Sequence, residues 1–233
     1  MHPDGVLFDL DHTVFRGTTL NMEPALRLLI DEYEMSDICL KTMLDRCNRL
    51  WHGLYSRSRD SGFELNIRHL CRFLCSEFGY DVNIGPKMER RIFDLTYAVE
   101  GLEEGVRDVL EELEKRQIPR GVLSNNAFSG QTLLYGLGQH SVGNLFTVVL
   151  SSADMGVRKP YPGVFRAAAA SLGVSAPRTW FVGDSLAADV LGAQSAGMTA
   201  VWYNRAGTAV PETPSCAIIN HWREFIDRLP PLD

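Results

Sequence analysis

A short apolar run, Gly5-Val6-Leu7-Phe8, passes directly into Asp9-Leu10-Asp11-His12-Thr13. Unbroken apolar character over so few residues reads as a strand covered on both faces, the habit of a parallel sheet. Such a strand delivers whatever follows it to one edge of the sheet, and here it delivers two acids. Side chains at i and i+2 of an extended segment share a side, so Asp9 and Asp11 can reach one site. Two carboxylates so close become useful when a divalent cation neutralises them and they take different roles. The spacing points to a metal-assisted carboxylate nucleophile.

The rest of the chain tells where partners for these acids lie. From Gly101 onward, short apolar segments alternate with helical patterns, as expected of a parallel sheet. The segments are Gly121-Val122-Leu123, Val148-Val149-Leu150, Trp180-Phe181-Val182 and Ala200-Val201-Trp202, with a further short one at Ala217-Ile218-Ile219. Helices are expected over 103–117, 164–172 and 186–196, the last closed by Gly197. Between Phe15 and Val99 the pattern is helical throughout. Pro24 suits an opening turn, Ser36 a second helix cap, Ser61-Gly62-Phe63-Glu64 a capping box, and 86–99 a fourth helix. The fold class is α/β: a Rossmann-like parallel-sheet core (residues 1–14 plus 100–233) with an inserted all-helical cap domain (15–99).

Composition narrows the partners. Across 233 residues, 23 Lys and Arg stand against 29 Asp and Glu, a net charge of −6. That balance excludes a nucleic-acid or anionic-membrane partner held by bulk electrostatics. An anionic substrate must be met locally, by a metal, a few basic residues and helix N-termini. No apolar run reaches membrane-spanning length, no leader is visible at Met1-His2-Pro3-Asp4, and the five cysteines lack metal-knuckle spacing. Reduced core thiols and a cytoplasmic setting are expected. Oligomeric state is not legible.

Ligands of open parallel sheets bind outside the carboxyl ends of the strands, and each such end is polar here. The first carries Asp9, Asp11 and Thr13; the second Ser124-Asn125-Asn126; the third leads to Arg158-Lys159-Pro160; the fourth carries Gly183-Asp184-Ser185 and Asp189. This ordered set resembles the haloacid dehalogenase superfamily of phosphohydrolases. Asp9-Leu10-Asp11-His12-Thr13 is similar to its first motif, Ser124 to the second, Lys159 to the third, and Gly183 through Asp189 to the fourth. The helical block falls where that family places a cap.

The resemblance implies a Mg²⁺-dependent phosphatase acting on a small phosphorylated metabolite. Asp9 would be the nucleophile and Asp11 the acid and base. The Asp9 and Asp184 carboxylates and the Asp11 main-chain carbonyl would hold Mg²⁺. Ser124, Asn125 and Lys159 would bind the phosphate, with Thr13 ordering the turn around Asp9. Asp189 would orient Lys159 or a metal-bound water, Ser185 would cap a helix, and His12 would line the entrance without catalysing. Gly136-Leu137-Gly138 resembles half a dinucleotide fingerprint but lacks the third glycine and a preceding strand.

Other readings remain within the sequence. A 2-haloacid dehalogenase needs neither a metal nor an acid at the second position, so Asp11 and Asp184 oppose it. Phosphonate cleavage needs a cap lysine, for which Lys41 and Lys87 are the candidates, and phosphosugar mutation is a further variant. A silent binding protein would not need every catalytic position filled. Arg16, Arg49, Trp51, His52, Tyr55, Arg57 and Arg59 are the candidates to contact the leaving group, which would suit a sugar phosphate or a nucleotide.

Overall fold

The computed structural model describes residues 2–209 and 216–231. Gly5–Phe8 forms β1. After the turn that carries the paired acids come β2 (Phe15–Arg16) and β3 (Thr19–Leu20). Four helices follow: α1 (Glu23–Glu32), α2 (Leu40–Ser61), α3 (Ile67–Glu77) and α4 (Pro86–Thr96). The chain returns through β4 (Tyr97–Ala98) and β5 (Gly101–Leu102). Next are α5 (Val106–Lys115), β6 (Arg120–Ser124), α6 (Gly130–Gln139) and β7 (Val148–Ser151). Then α7 (Ser152–Met155), α8 (Pro162–Ser171), β8 (Thr179–Gly183) and α9 (Leu191–Ser195) lead to β9 (Thr199–Tyr203). The chain finishes with β10 (Ala217–Ile219) and α10 (Trp222–Ile226).

The main sheet runs β10-β9-β8-β1-β6-β7, and every pairing in it is parallel. After β1 the chain winds outward through β6 and β7, then crosses back to β8 on the other side of β1. That reversal opens a crevice at the carboxyl end of β1, where ligands of such sheets sit. Alternate residues of β1 serve opposite faces. Val6 and Phe8 belong to a core that includes Val109 and Leu110 of α5 and Trp222 of α10. Leu7 belongs to a second core with Phe165 and Ala168 of α8.

The helical insertion departs from expectation in three places. Its entry and exit are paired ribbons: Phe15 and Arg16 face Leu102 and Gly101, and Thr19 and Leu20 face Ala98 and Tyr97. These ribbons are too short to show an alternating pattern, and the second ends α4 at Thr96. Ser36 lies in a turn, and α2 begins at Leu40 after Cys39. Ser61-Gly62-Phe63-Glu64 opens no helix. Gly62, at φ +78°, is instead the left-handed C-cap of α2, and Asn66 caps α3 by accepting from the Arg68 and His69 amides.

The misread segment docks the insertion onto the core. Phe63 bridges to Val157, the Glu64 amide donates to the Gly156 carbonyl (3.1 Å), and the Ile67 amide donates to the Ala127 carbonyl (2.9 Å). Buried Glu89 of α4 makes a second tie, accepting from the Ser129 amide at 2.6 Å and pairing with Arg68 at 3.0 Å. Gly136 of α6 lets α4 approach: a Cβ there would stand 2.7 Å from the Phe93 ring. Its glycine serves packing, which explains a fragment of a dinucleotide motif without a dinucleotide. Cys47, Cys71 and Cys75 are buried free thiols, whereas Cys39 is exposed and Cys216 half-buried, so the expectation of core thiols holds for three of the five. No described helix is long and apolar enough to cross a membrane.

Candidate active site

β1 stops at Phe8, but its ladder continues for one bond more: the Asp9 amide donates to the Val182 carbonyl of β8 (2.8 Å). The turn after it closes on one acceptor, the Leu10 carbonyl, which takes the Val14 and Phe15 amides at 2.9 and 2.8 Å. This tight turn separates the two acids into different surroundings. Asp9 faces the ends of β8 and the Lys159 loop, and Asp11 faces the insertion.

Lys159 is buried, and its ammonium donates to Asp9 Oδ1 at 2.6 Å and to Asp189 Oδ1 at 2.7 Å. Asp189 spends its other oxygen on the Ser185 amide (2.9 Å), so both its oxygens are committed. Gly183 is needed for this approach, because a Cβ there would overlap the Asp189 carboxyl. Ser185 caps the next turn by accepting from the Ala188 amide (3.2 Å), and that turn is π-helical over Leu186–Val190 before α9 begins. Asn125 grips the Lys159 backbone with both ends of its amide, donating to the carbonyl (3.0 Å) and accepting from the N–H (2.8 Å). Expected only to bind the phosphate, Asn125 thus also fixes the lysine with its side chain.

Oxygens of Asp9, Asp184 and Asp189 lie within 4.8 Å of one another. Two carboxylates thus share one ammonium with a third beside them, and the charge is unbalanced. Burial first, then the Asp189 and Asp184 charges, hold Asp9 well above the usual carboxylate range against the pull of Lys159. Burial and Asp189 push Asp184 up to about 6. Burial opposes the Lys159 charge, but Asp189 and Asp9 more than offset it and keep the ammonium protonated. An all-oxygen cluster with surplus negative charge fits a hard divalent cation. Ser124 Oγ and Thr13 Oγ1 are buried with no hydrogen-bond partner among the described residues. A buried hydroxyl without a partner is costly unless a ligand completes it.

Asp11 is held differently. The Tyr97 hydroxyl donates to Oδ1 and Asn126 Nδ2 donates to Oδ2 at 3.2 Å. Burial raises the Asp11 pKa, with Tyr97, Thr18 and Asn126 pulling the other way. Burial and the Asp11 charge also push the Tyr97 hydroxyl upward, so it remains the donor. Asn126 stands in the sequence as the third polar residue at the end of β6, but with no role toward Asp11; Tyr97 carries no such signal.

Asp11 also forms part of the wall of a cavity of about 420 Å³ between the insertion and the core. Asn48, Trp51, His52 and Tyr55 line it from α2, at the i, i+3, i+4, i+7 spacing of one helix face. Of the leaving-group candidates, Trp51, His52 and Tyr55 are therefore present, while Arg49 and Arg57 are not. Arg16 lines a different cavity, with His12 and Asp184, and the Arg59 side chain lies outside those described. Lys41 and Lys87 are exposed and line neither cavity.

Comparison with known proteins agrees with this geometry. Residues 85–203, just over half of the chain, match the haloacid dehalogenase-like hydrolase family. A phosphatase of Mycobacterium tuberculosis, MT3486, is 34% identical over 169 residues, covering 70% of this chain and 75% of that protein. The chain belongs to the haloacid dehalogenase-like hydrolases. Within that family it is similar to the pyrimidine 5′-nucleotidase PynA of Streptococcus pneumoniae, at 29% identity over 85% of this chain and 83% of that one. Among solved structures, a 2-haloacid dehalogenase from Pseudomonas syringae pv. Tomato aligns at a TM-score of 0.62 and 25% identity, covering 95% and 96% of the two chains. This member of the haloacid dehalogenase-like hydrolases is a hydrolase of the phosphatase type.

Proposed function

We propose that the protein is a Mg²⁺-dependent phosphohydrolase that cleaves a small phosphomonoester through an aspartyl-phosphate on Asp9. The observation that carries this reading is the cluster of Asp9, Asp184 and Asp189 around a single ammonium, Lys159. Asp9 and Asp184, with the Asp11 main-chain carbonyl, would hold the cation, while the Asp189 oxygens accept from Lys159 and the Ser185 amide. When bound, the cation offsets the repulsion between an anionic phosphoryl group and an anionic nucleophile.

Asp9 attacks phosphorus as the bond to the leaving oxygen breaks, and protonated Asp11 gives its proton to that oxygen. The raised Asp11 pKa favours the proton-bearing form that this step requires. Asp11, now a carboxylate and held by Tyr97 and Asn126, next takes a proton from the water that attacks phosphorus. Phosphate leaves and Asp9 is restored. Ser124 Oγ and the Lys159 ammonium face the transferring oxygens, and Asn125 keeps the lysine in register. Residues 1–14 with 100–233 act as the catalytic core and 15–99 as the cap, in a cytoplasmic setting.

The test is hydrolysis of p-nitrophenyl phosphate with and without Mg²⁺. Activity should require the cation and fall at least about 10⁴-fold in Asp9→Asn. Full activity in Asp9→Asn, or after strict chelation, contradicts the proposal. Metal-independent halide release from a 2-haloacid would select the dehalogenase chemistry instead.

A further inference from the structure

The cavity beside Asp11 has a chemical character of its own. Asp11 must reach the leaving oxygen, so the leaving group lies in the space that Asp11 lines. Among the described residues no lysine or arginine lines that space, and its acids are Asp11 and Glu64. The Arg158 guanidinium is buried and already occupied: it pairs with Glu64 (3.6 Å), donates to Ser58 Oγ (2.8 Å) and stands over the Tyr55 ring, 5.5 Å from its centroid. Glu64 is likewise compensated, by Arg158 and by the Ser152 hydroxyl at 2.6 Å. A carboxylate on the leaving group would find no cationic partner among the described residues and would face Asp11. A quaternary or primary ammonium would find no free acid besides the catalytic one.

What the wall does offer is flat surface and amides. Trp51 and Tyr55 stack on each other, nearly parallel at 10° with centroids 6.0 Å apart. Two parallel, stacked rings give a platform rather than a cage, and a platform suits a planar group. The side chains of Asn48 and His52, from the same face of α2, face this cavity without a side-chain hydrogen bond among the described residues and can read the edge of such a group. A volume of about 420 Å³ accommodates a group of several rings. From these residues we infer that the enzyme's substrate is the phosphate ester of an uncharged, flat, hydrogen-bonding alcohol, with a nucleoside 5′-monophosphate as the type. Esters of carboxylate-bearing or cationic alcohols are expected to be the poorer substrates.

This inference rests on the phosphatase reading, and its test separates the two. With Mg²⁺ present, kcat/KM is measured on the full chain for uridine 5′-monophosphate, ribose 5-phosphate, phosphoglycolate, phosphocholine and acetyl phosphate. The nucleotide should exceed phosphoglycolate and phosphocholine at least tenfold. Trp51→Ala should raise KM for the nucleotide at least tenfold more than KM for acetyl phosphate, and Trp51→Phe should recover most of that loss. Preference for phosphoglycolate or phosphocholine, or an equal effect of Trp51→Ala on every substrate, overturns the inference. Failure to hydrolyse any of the five, acetyl phosphate included, counts against the phosphatase reading instead. Calorimetry on the Asp9→Asn chain then decides the pocket by itself: uridine 5′-monophosphate binding at least tenfold tighter than phosphoglycolate upholds it, and equal or reversed affinities refute it.

Discussion

The two sides of Asp11 are built on opposite principles. Toward the core, charges are crowded: buried Asp9, Asp189 and Lys159 and half-buried Asp184 lie together, the ammonium contacts are short, and the balance is left negative. Toward the insertion, charge is avoided or already neutralised, and rings and amides line an open cavity. The first arrangement concentrates field on a group common to all phosphate esters, where a low-dielectric setting magnifies each charge. The second reads the part of the substrate that differs from one ester to the next. Asp11 belongs to both, which is why it is held by residues of both, Asn126 from the core side and Tyr97 from the returning ribbon.

If this division is right, changes on the charged side should act on turnover of every substrate, and changes elsewhere should not. The largest effect after loss of the nucleophile is expected for Asp11→Asn. Its kcat should fall about 10²- to 10⁴-fold on all esters, the usual worth of general acid–base help, while Mg²⁺ affinity by calorimetry stays close to wild type. Loss of metal binding in that variant would move Asp11's side chain into the metal site and blur the comparison. Asn125→Ala comes next. Releasing both ends of its grip on Lys159 should lower kcat about 10- to 100-fold with little change in KM; a KM effect alone would place Asn125 with the pocket.

A titration sharpens the same contrast. Asp184 rises from 3.8 to about 6 on folding without metal, so the folded state binds a proton more readily than the unfolded one. Metal-free protein should therefore lose stability as pH climbs from 3.8 toward 6, and Mg²⁺ should restore it above pH 6. Below that value the cation competes with the proton, and its apparent affinity should fall about tenfold per pH unit. Flat Mg²⁺ affinity between pH 5 and pH 7 in a thermal-shift titration would mean that Asp184 is not a ligand. The smallest effect is expected for Gly136→Ala, which presses a methyl against Phe93. It should cost about 1–3 kcal/mol in denaturant unfolding and leave kcat untouched.

The charged rim was readable in the sequence because strand ends announce themselves. Each apolar run is followed at once by its polar residues, and the parallel topology gathers those ends on one edge. The strands β1, β6, β7, β8 and β9 fall where their apolar runs lie. The cap was readable only as helix. Its junctions are two-residue ribbons, below the length at which period 2 can register. Ser61 through Glu64 satisfies the pattern of a helix start, but Gly62 adopts φ +78° and ends α2 instead. Local pattern could not show that Glu64 would be needed across the fold by Arg158 and Ser152. Tyr97 and Asn126 illustrate the same limit, since their meeting at Asp11 joins residues 86 and 115 positions away. The α2 stripe is the instructive middle case. Its helical spacing sets Trp51, His52 and Tyr55 apart from Arg49 and Arg57 once the helix is placed, but nothing local says which face meets the site.

The central claim is that Asp9 takes the phosphoryl group while a separate acid serves the leaving oxygen. Acid quenching of the enzyme during turnover of a radiolabelled phosphomonoester, followed by peptide mapping, tests it most directly. The account predicts label on the peptide bearing Asp9, and neither label nor turnover in Asp9→Asn. Turnover that persists in Asp9→Asn, with label recovered only as free phosphate or on another side chain, would contradict it.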